Sequence, residues 1–226
     1  MEIMPVAHIR SDFKEKFGIP RQSGLVDALQ AQVIFEPPYR VPEAVRGLED
    51  FSHIWLIWEF SQARRREWSP TVRPPRLGGN TRLGVFATRS PFRPNALGLS
   101  AVRLERIEFH SRYGPVLHVA GADLLDGTPV YDVKPYIPYA DAYPGASGGF
   151  TDRTPRQPLA VECPAELLDR FPPEKREALL GVLAEDPRPS YQEDPGRVYG
   201  LVFAGYNVRF TVADGVLVVR DVEKDF

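Results

Sequence analysis

Apolar and polar positions alternate in short stretches along the first two thirds of this chain, and no long helical period runs through them. Ile3–Arg10 alternates, Ala31–Phe35 is short and apolar, and His53–Phe60 is rich in aromatic and β-branched residues. Arg82–Ala87, Gly98–Ile107, Val116–Gly121 and Val130–Ile137 follow. Turns carrying glycine or proline separate these seven predicted strands, at Gly47, Gly78-Gly79, Gly114-Pro115 and Asp126-Gly127. Many short strands joined by such turns favour a β-barrel or sandwich. Two connections are too long for hairpins: Ser11–Gln30, and Ser61–Thr81. Long loops of defined composition on a rigid scaffold commonly carry function.

The pattern changes near Tyr143, where a polar stretch rich in Gly, Pro, Ser and Thr reads as a linker. Beyond it, Pro172–Glu185 predicts one helix with prolines at its start. Asp186-Pro187-Arg188-Pro189 then reads as a turn. Val198–Val212 and Val216–Val222 read as two strands joined at Ala213-Asp214-Gly215. The expected organisation is a mainly β domain over 1–145, a linker over 146–160 and a small α+β domain over 161–226.

Proline, 23 of 226 residues, excludes a long-helix bundle. The longest apolar run, Ile54–Trp58, is far short of the roughly 20 residues that span a bilayer. The opening MEIMPVAHIR lacks the basic-then-apolar order of a secretory signal. Cys163 is the single cysteine, which excludes an internal disulfide and a multi-cysteine metal site and fits a reducing cytoplasm.

Charge is uneven. The net charge is −2, yet Ser61–Arg93 holds eight arginines against one acid, Glu67, and no lysine, a local +7 on a body of −9. A planar guanidinium grips phosphate or carboxylate through paired donors and stacks on bases, so this block fits a specific anionic partner. A solvated loop paired with distant acids would give the same composition.

Common cofactor fingerprints are absent, with no G-x-G-x-x-G after a strand and no G-x-x-x-x-G-K-[ST]; the one G-x-S-x-G match, Gly145–Gly149, sits in the glycine-rich stretch read as a linker, where flexibility explains it better than a strand-to-helix elbow. His8, His53, His110 and His118 are too scattered to suggest a metal site. The densest remaining chemistry is Arg89-Ser90-Pro91-Phe92-Arg93-Pro94-Asn95. Its two prolines stiffen a loop that presents two arginines and an amide. Leu124–Pro129 is a tight turn with one carboxylate at its tip.

Pro20-Arg21-Gln22, GLEDFSHIWL (Gly47–Leu56), RPPRLGG (Arg73–Gly79), GVFATRSPFRPNALGLS (Gly84–Ser100), DLLDGTPVYDVKPY (Asp123–Tyr136) and DPRPSY (Asp186–Tyr191) occur in this order. Together they resemble the TsaA-like (TrmO) family, methyltransferases that use S-adenosylmethionine to modify threonylcarbamoyladenosine in tRNA. The resemblance covers nearly the whole chain. It implies a β-barrel with a small C-terminal domain, a dimer with its cofactor site close to the subunit interface, and methylation of the exocyclic amino nitrogen beside the anticodon.

Carried onto this sequence, the resemblance assigns cofactor binding to Pro20, Arg21, Gln22, Ser61, Gln62, Arg89, Leu99, Leu125, Asp126, Gly127 and Thr128. Ser61 stands where the family has a larger polar residue, often histidine, which leaves a backbone contact there. Arg21 and Arg89 would meet the cofactor's carboxylate, Asp126 or Gln22 its ribose, and Leu99 its adenine. Asp126 and Asp132 are the expected general bases, with Tyr131 and Asn95 orienting the carbamoyl oxygen. Arg64, Arg65, Arg66, Arg73 and Arg76 would hold the anticodon stem-loop, with Trp68 and Phe92 placed either to stack on bases or to pack in the core. Arg93 or Arg188 would meet the substrate's threonine carboxylate. A methyltransferase for another small or modified-base substrate, and a nonenzymatic S-adenosylmethionine- or RNA-binding module, are the rival readings.

Overall fold

The computed structural model describes residues 2–63, 67–154, 156–189 and 194–225. Arg64, Arg65 and Arg66 of the arginine block, and Ser190 and Tyr191 of the DPRPSY stretch, lie outside the described residues.

The first part of the chain forms strands β1 (Ala7–Ser11), β2 (Gln30–Phe35), β3 (His53–Glu59), β4 (Thr71–Val72), β5 (Leu83–Gly84), β6 (Leu97–His110), β7 (Gly114–Ala120) and β8 (Pro129–Pro135), of which only β4 falls outside the period-two segments. Six of them close an antiparallel barrel in the order β1-β2-β7-β6-β3-β8. The alternation explains the closure: Ala7, Ile9, Val33, Ile54, Leu56, Val102, Leu117, Val119 and Val130 are almost fully buried and form the barrel core, while in β2 and β7 some of the intervening positions, such as Ile34 and Val116, are buried too. The barrel seals at a short seam, Ala7↔Val130 and His8↔Pro129.

One of the seven predicted strands, Arg82–Ala87, is not in the barrel. Leu83–Gly84 pairs only with Thr71–Val72, and Val85–Ala87 turns into a 3₁₀ helix that buries Val85 and leaves Phe86 exposed. The long Ser61–Thr81 connection therefore contains half of a two-residue ribbon.

Downstream come α1 (Pro138–Asp141), β9 (Ala160–Glu162), α2 (Ala165–Leu168), α3 (Pro173–Ala184), β10 (Tyr199–Phe203), β11 (Tyr206–Ala213) and β12 (Val216–Lys224). The second sheet runs β10-β11-β12-β9, with β9 parallel to β12. Val198–Val212, read as one strand, is broken by a two-residue hairpin turn: Ala204 and Gly205 both take positive φ, 51° and 78°. The segment read as linker ends in β9, which adds an edge strand to this sheet.

The Ser11–Gln30 connection is structural as well as long. Phe13, Val26 and Leu29 are buried in the core of the second unit, with Leu179, Val182, Leu183, Leu201 and Phe203. The Phe13 and Phe203 rings lie 5.1 Å apart. Gly18, at φ 87°, packs so closely that a Cβ there would sit 2.2 Å from Leu201 Cδ1. The first connection is thus anchored in the second unit's core, and Pro20-Arg21-Gln22 rides on it.

Candidate functional site

Neighbouring strands in this barrel are all antiparallel, so every connection from an odd to an even position around the wall emerges at one mouth. Residues 12–29, 60–96 and 121–128 are those connections, and they carry nearly all the candidate residues.

Hydrogen bonds tie the three together. Arg89 donates through Nη1 to Gln22 Oε1, and Gln22 donates to the Arg21 carbonyl. Gly24 N–H donates to Gly121 O at 2.9 Å. Lys16 Nζ reaches the Gln62 carbonyl at 2.9 Å. Ser61 and Gln62 are exposed, and Ser61 N–H donates back to Glu59 O.

The turn after β7 is built against β1. Thr128 N–H and Oγ1 both donate to Leu125 O, Gly127 takes φ 75°, and Ile9 exchanges backbone bonds with Gly127 and Thr128. Asp126 has its carboxylate engaged: Oδ1 accepts Ser11 N–H at 3.0 Å, and Oδ2 lies 2.6 Å from Lys14 Nζ. Leu125 packs on the second core.

Asp123 is the residue that the sequence reading passed over. Trp58 Nε1 donates to Ser100 Oγ at 3.0 Å, and Ser100 Oγ donates to Asp123 Oδ1 at 2.7 Å. Burial pushes the Asp123 carboxyl above its ordinary range; hydrogen bonds from Ser100, its own backbone and Ser23, and the charge of Arg89, pull it part of the way back. Asp123 therefore joins the barrel wall to the loops bearing Arg21, Gln22 and Arg89. Two aspartates three residues apart look equivalent in sequence; which one faces the interior depends on where β7 stops.

A β-bulge aims a second group. Ile57 pairs with Asp132 but Trp58 with Val130, so Tyr131 is the extra residue, and its hydroxyl donates to buried Glu59 at 2.5 Å. Asp132 accepts Val133 N–H and pairs with Lys134 at 2.9 Å on the outer wall. Leu99 also faces outward, 56% exposed, while Ser100 beside it is buried.

In the arginine block, Arg73 is exposed and Arg76 sits in a 3₁₀ turn, Pro75–Leu77. Arg93 donates to Thr88 O at 3.4 Å within its own loop, and Asn95 O accepts Leu97 N–H. Trp68 and Phe92 are exposed rather than in the core, at 54% and 38%. Arg188 forks both oxygens of Asp186, at 2.8 and 2.9 Å. Arg188, Arg21, Pro20 and Lys16 line one cleft of about 340 Å³ between the first connection and the loop after α3. Two stretches far apart in sequence, Pro20-Arg21-Gln22 and Asp186-Pro187-Arg188, thereby share a wall.

Residues 8–142 match the model of the tRNA-methyltransferase O N-terminal domain, and residues 157–225 match that of the TrmO C-terminal domain. The chain belongs to the tRNA-methyltransferase O family. It is 45% identical over 214 residues to the tRNA (adenine(37)-N6)-methyltransferase of Escherichia coli, covering 91% of each chain. A Pseudomonas aeruginosa relative, named as a candidate S-adenosylmethionine-dependent methyltransferase, is 46% identical over 207 residues, 88% of this chain and 87% of that one. A crystal structure of TrmO from the same organism superposes with a TM-score of 0.80 at 38% identity, covering 99% of this chain and 98% of that one. The TrmO-family chain described here is an enzyme of methyl transfer, with the barrel and second sheet that the family resemblance led one to expect.

Proposed function

We propose that this TrmO-family enzyme methylates the exocyclic amino nitrogen of threonylcarbamoyladenosine beside the anticodon of tRNA, working as a homodimer in the cytoplasm. The observation that carries the reading is the meeting of Gln22, Arg89 and Asp123 at the barrel mouth, on the segment whose backbone also carries Arg21.

The donor set fits S-adenosylmethionine. Two guanidiniums and an amide suit its carboxylate, the Leu125–Thr128 turn and Asp126 suit its ribose, and Leu99 offers an apolar wall. When bound, this cofactor supplies an electrophilic methyl on a good leaving group. The chain's task is alignment and exclusion of water. Arg89 and Gln22 hold one loop against another, and the anchored 12–29 connection keeps both from drifting. A general base within about 3 Å helps to remove the proton from the amide-like nucleophile. Asp126 and Asp132 are the candidates; Asp132, on the outer wall near Leu99, would act in a site completed by a second copy. Exposed Leu99, Leu97, Phe86 and Phe92 favour that dimer, since apolar surface of this kind is covered in an assembly. Arg73, Arg76 and Arg93 then face RNA phosphate, and Arg188 the threonine carboxylate.

Incubation with labelled S-adenosylmethionine and tRNA, with and without the threonylcarbamoyl group, tests this. Label is expected only in the modified tRNA; equal labelling of both would refute the substrate assignment.

A further inference from the structure

At the barrel end away from this mouth, three guanidiniums converge on one ring. Arg10, Arg40 and Arg112 place their Cζ atoms 5.6, 5.4 and 5.4 Å from the centroid of Tyr113. Tyr113 belongs to the β6–β7 hairpin, which presses on the residue 40 loop: a Cβ on Gly114, at φ 63°, would lie 2.7 Å from Arg40 O. Arg40 is fixed further by donating to Phe35 O at 2.8 Å and Arg112 O at 3.3 Å.

Among the described residues none of the three arginines has a carboxylate within ion-pair reach. The acids on the adjoining strands are already taken: Glu36 pairs with His8, Glu108 with His118 and Arg106, and Glu105 with Arg103. Three like charges held together without a counter-charge disfavour one another, and an anion relieves this. The Tyr113 ring is covered by cations, so the cluster offers donors for phosphate rather than a stacking face for a base. Arg10 also carries the charge toward the mouth: it precedes Ser11, whose N–H holds Asp126. From the hairpin to that mouth, the seven residues of β7 span roughly 20 Å.

We propose that the Arg10–Arg40–Arg112 cluster around Tyr113 binds the phosphate backbone of the double-stranded stem of the RNA whose loop occupies the barrel mouth. The inference rests on the tRNA reading above. Arg10→Ala/Arg112→Ala is the test variant, because both side chains are exposed and neither belongs to the cofactor site. Anisotropy titrations compare full-length modified tRNA with a loop-only oligonucleotide. The variant is expected to bind the tRNA roughly tenfold more weakly near physiological salt, with a salt slope smaller by about one to two. Binding of the loop oligonucleotide and of S-adenosylmethionine is expected to stay at the wild-type level, and Arg10→Lys/Arg112→Lys to restore the slope. Wild-type affinity and slope in the alanine variant would overturn the stem site while leaving the tRNA reading intact, as would equal loss on both RNAs. A wild-type enzyme that neither binds nor methylates the modified tRNA would overturn both.

Discussion

Ser100 Oγ stands 2.7 Å from Asp123 Oδ1 and passes the barrel's Trp58 indole N–H on to a carboxylate beside Arg89. Ser100→Ala leaves a buried indole donor without its acceptor and Asp123 without its donor. A cost of about 1–3 kcal/mol is expected, read as a lower urea midpoint, together with a raised KM for S-adenosylmethionine as the Asp123–Arg89 geometry loosens.

Asp123 also carries a pH signature. Its folded-state pKa is raised above the ordinary 3.8, chiefly by burial. The folded protein then binds a proton that the unfolded chain has released, so this group's contribution is fully present below the unfolded value and is lost as pH rises through the folded one. The stability difference between wild type and Asp123→Asn is expected to shift against the wild type from about pH 4 upward and then level off. Urea unfolding of both proteins across that range checks it; a gap independent of pH would mean that Asp123 titrates as an ordinary surface acid.

Asp126 sits differently, with both oxygens already held by Ser11 N–H and Lys14. Its role in shaping the Leu125–Thr128 turn makes Asp126→Ala a binding variant. The dissociation constant for S-adenosylmethionine is expected to rise about tenfold, the equivalent of one charge-assisted hydrogen bond, with a smaller change in saturated kcat. Loss confined to kcat would make Asp126 the general base instead.

The barrel was legible where a strand is buried mainly on one face, as in β3, so that inward positions such as Ile54 and Leu56 alternate with less buried ones. Arg82–Ala87 misled because Leu83, Val85 and Phe86 mimic that alternation while only Val85 finds a core. The turn at Ala204-Gly205 was hidden because alanine rarely adopts positive φ. Three-residue β9 has too little pattern to announce an edge pairing. At the site, the loop residues were readable as a motif, but Asp123 was not: its importance comes from Ser100 and Trp58, 23 and 65 residues away, meeting inside the barrel.

Packing at the mouth predicts a sensitive glycine. A Cβ on Gly98 would lie 2.3 Å from Trp58 Cε2, and Trp58 is confined by Phe60 at 4.3 Å between ring centroids. The indole has no flexible end to swing away. Gly98→Ala is expected to destabilise the fold by about 1–3 kcal/mol and to change Trp58 fluorescence, both measurable in one urea titration. A wild-type midpoint would show that β6 shifts outward at little cost.

Arg188 links the second unit to the substrate. It lines a cleft with Arg21, and its fork to Asp186 holds the guanidinium in place there at little further entropic cost. A threonine carboxylate there would make charge-assisted bonds worth about 1.5–3 kcal/mol, roughly tenfold to a hundredfold in KM. Arg188→Ala is expected to raise KM for threonylcarbamoylated tRNA by that factor. On tRNA whose threonine carboxylate is blocked as an amide, wild type and variant are expected to be equally poor. A uniform loss on both substrates would assign Arg188 to RNA backbone binding, and no loss on either would leave Arg93 as the cation that meets the carboxylate.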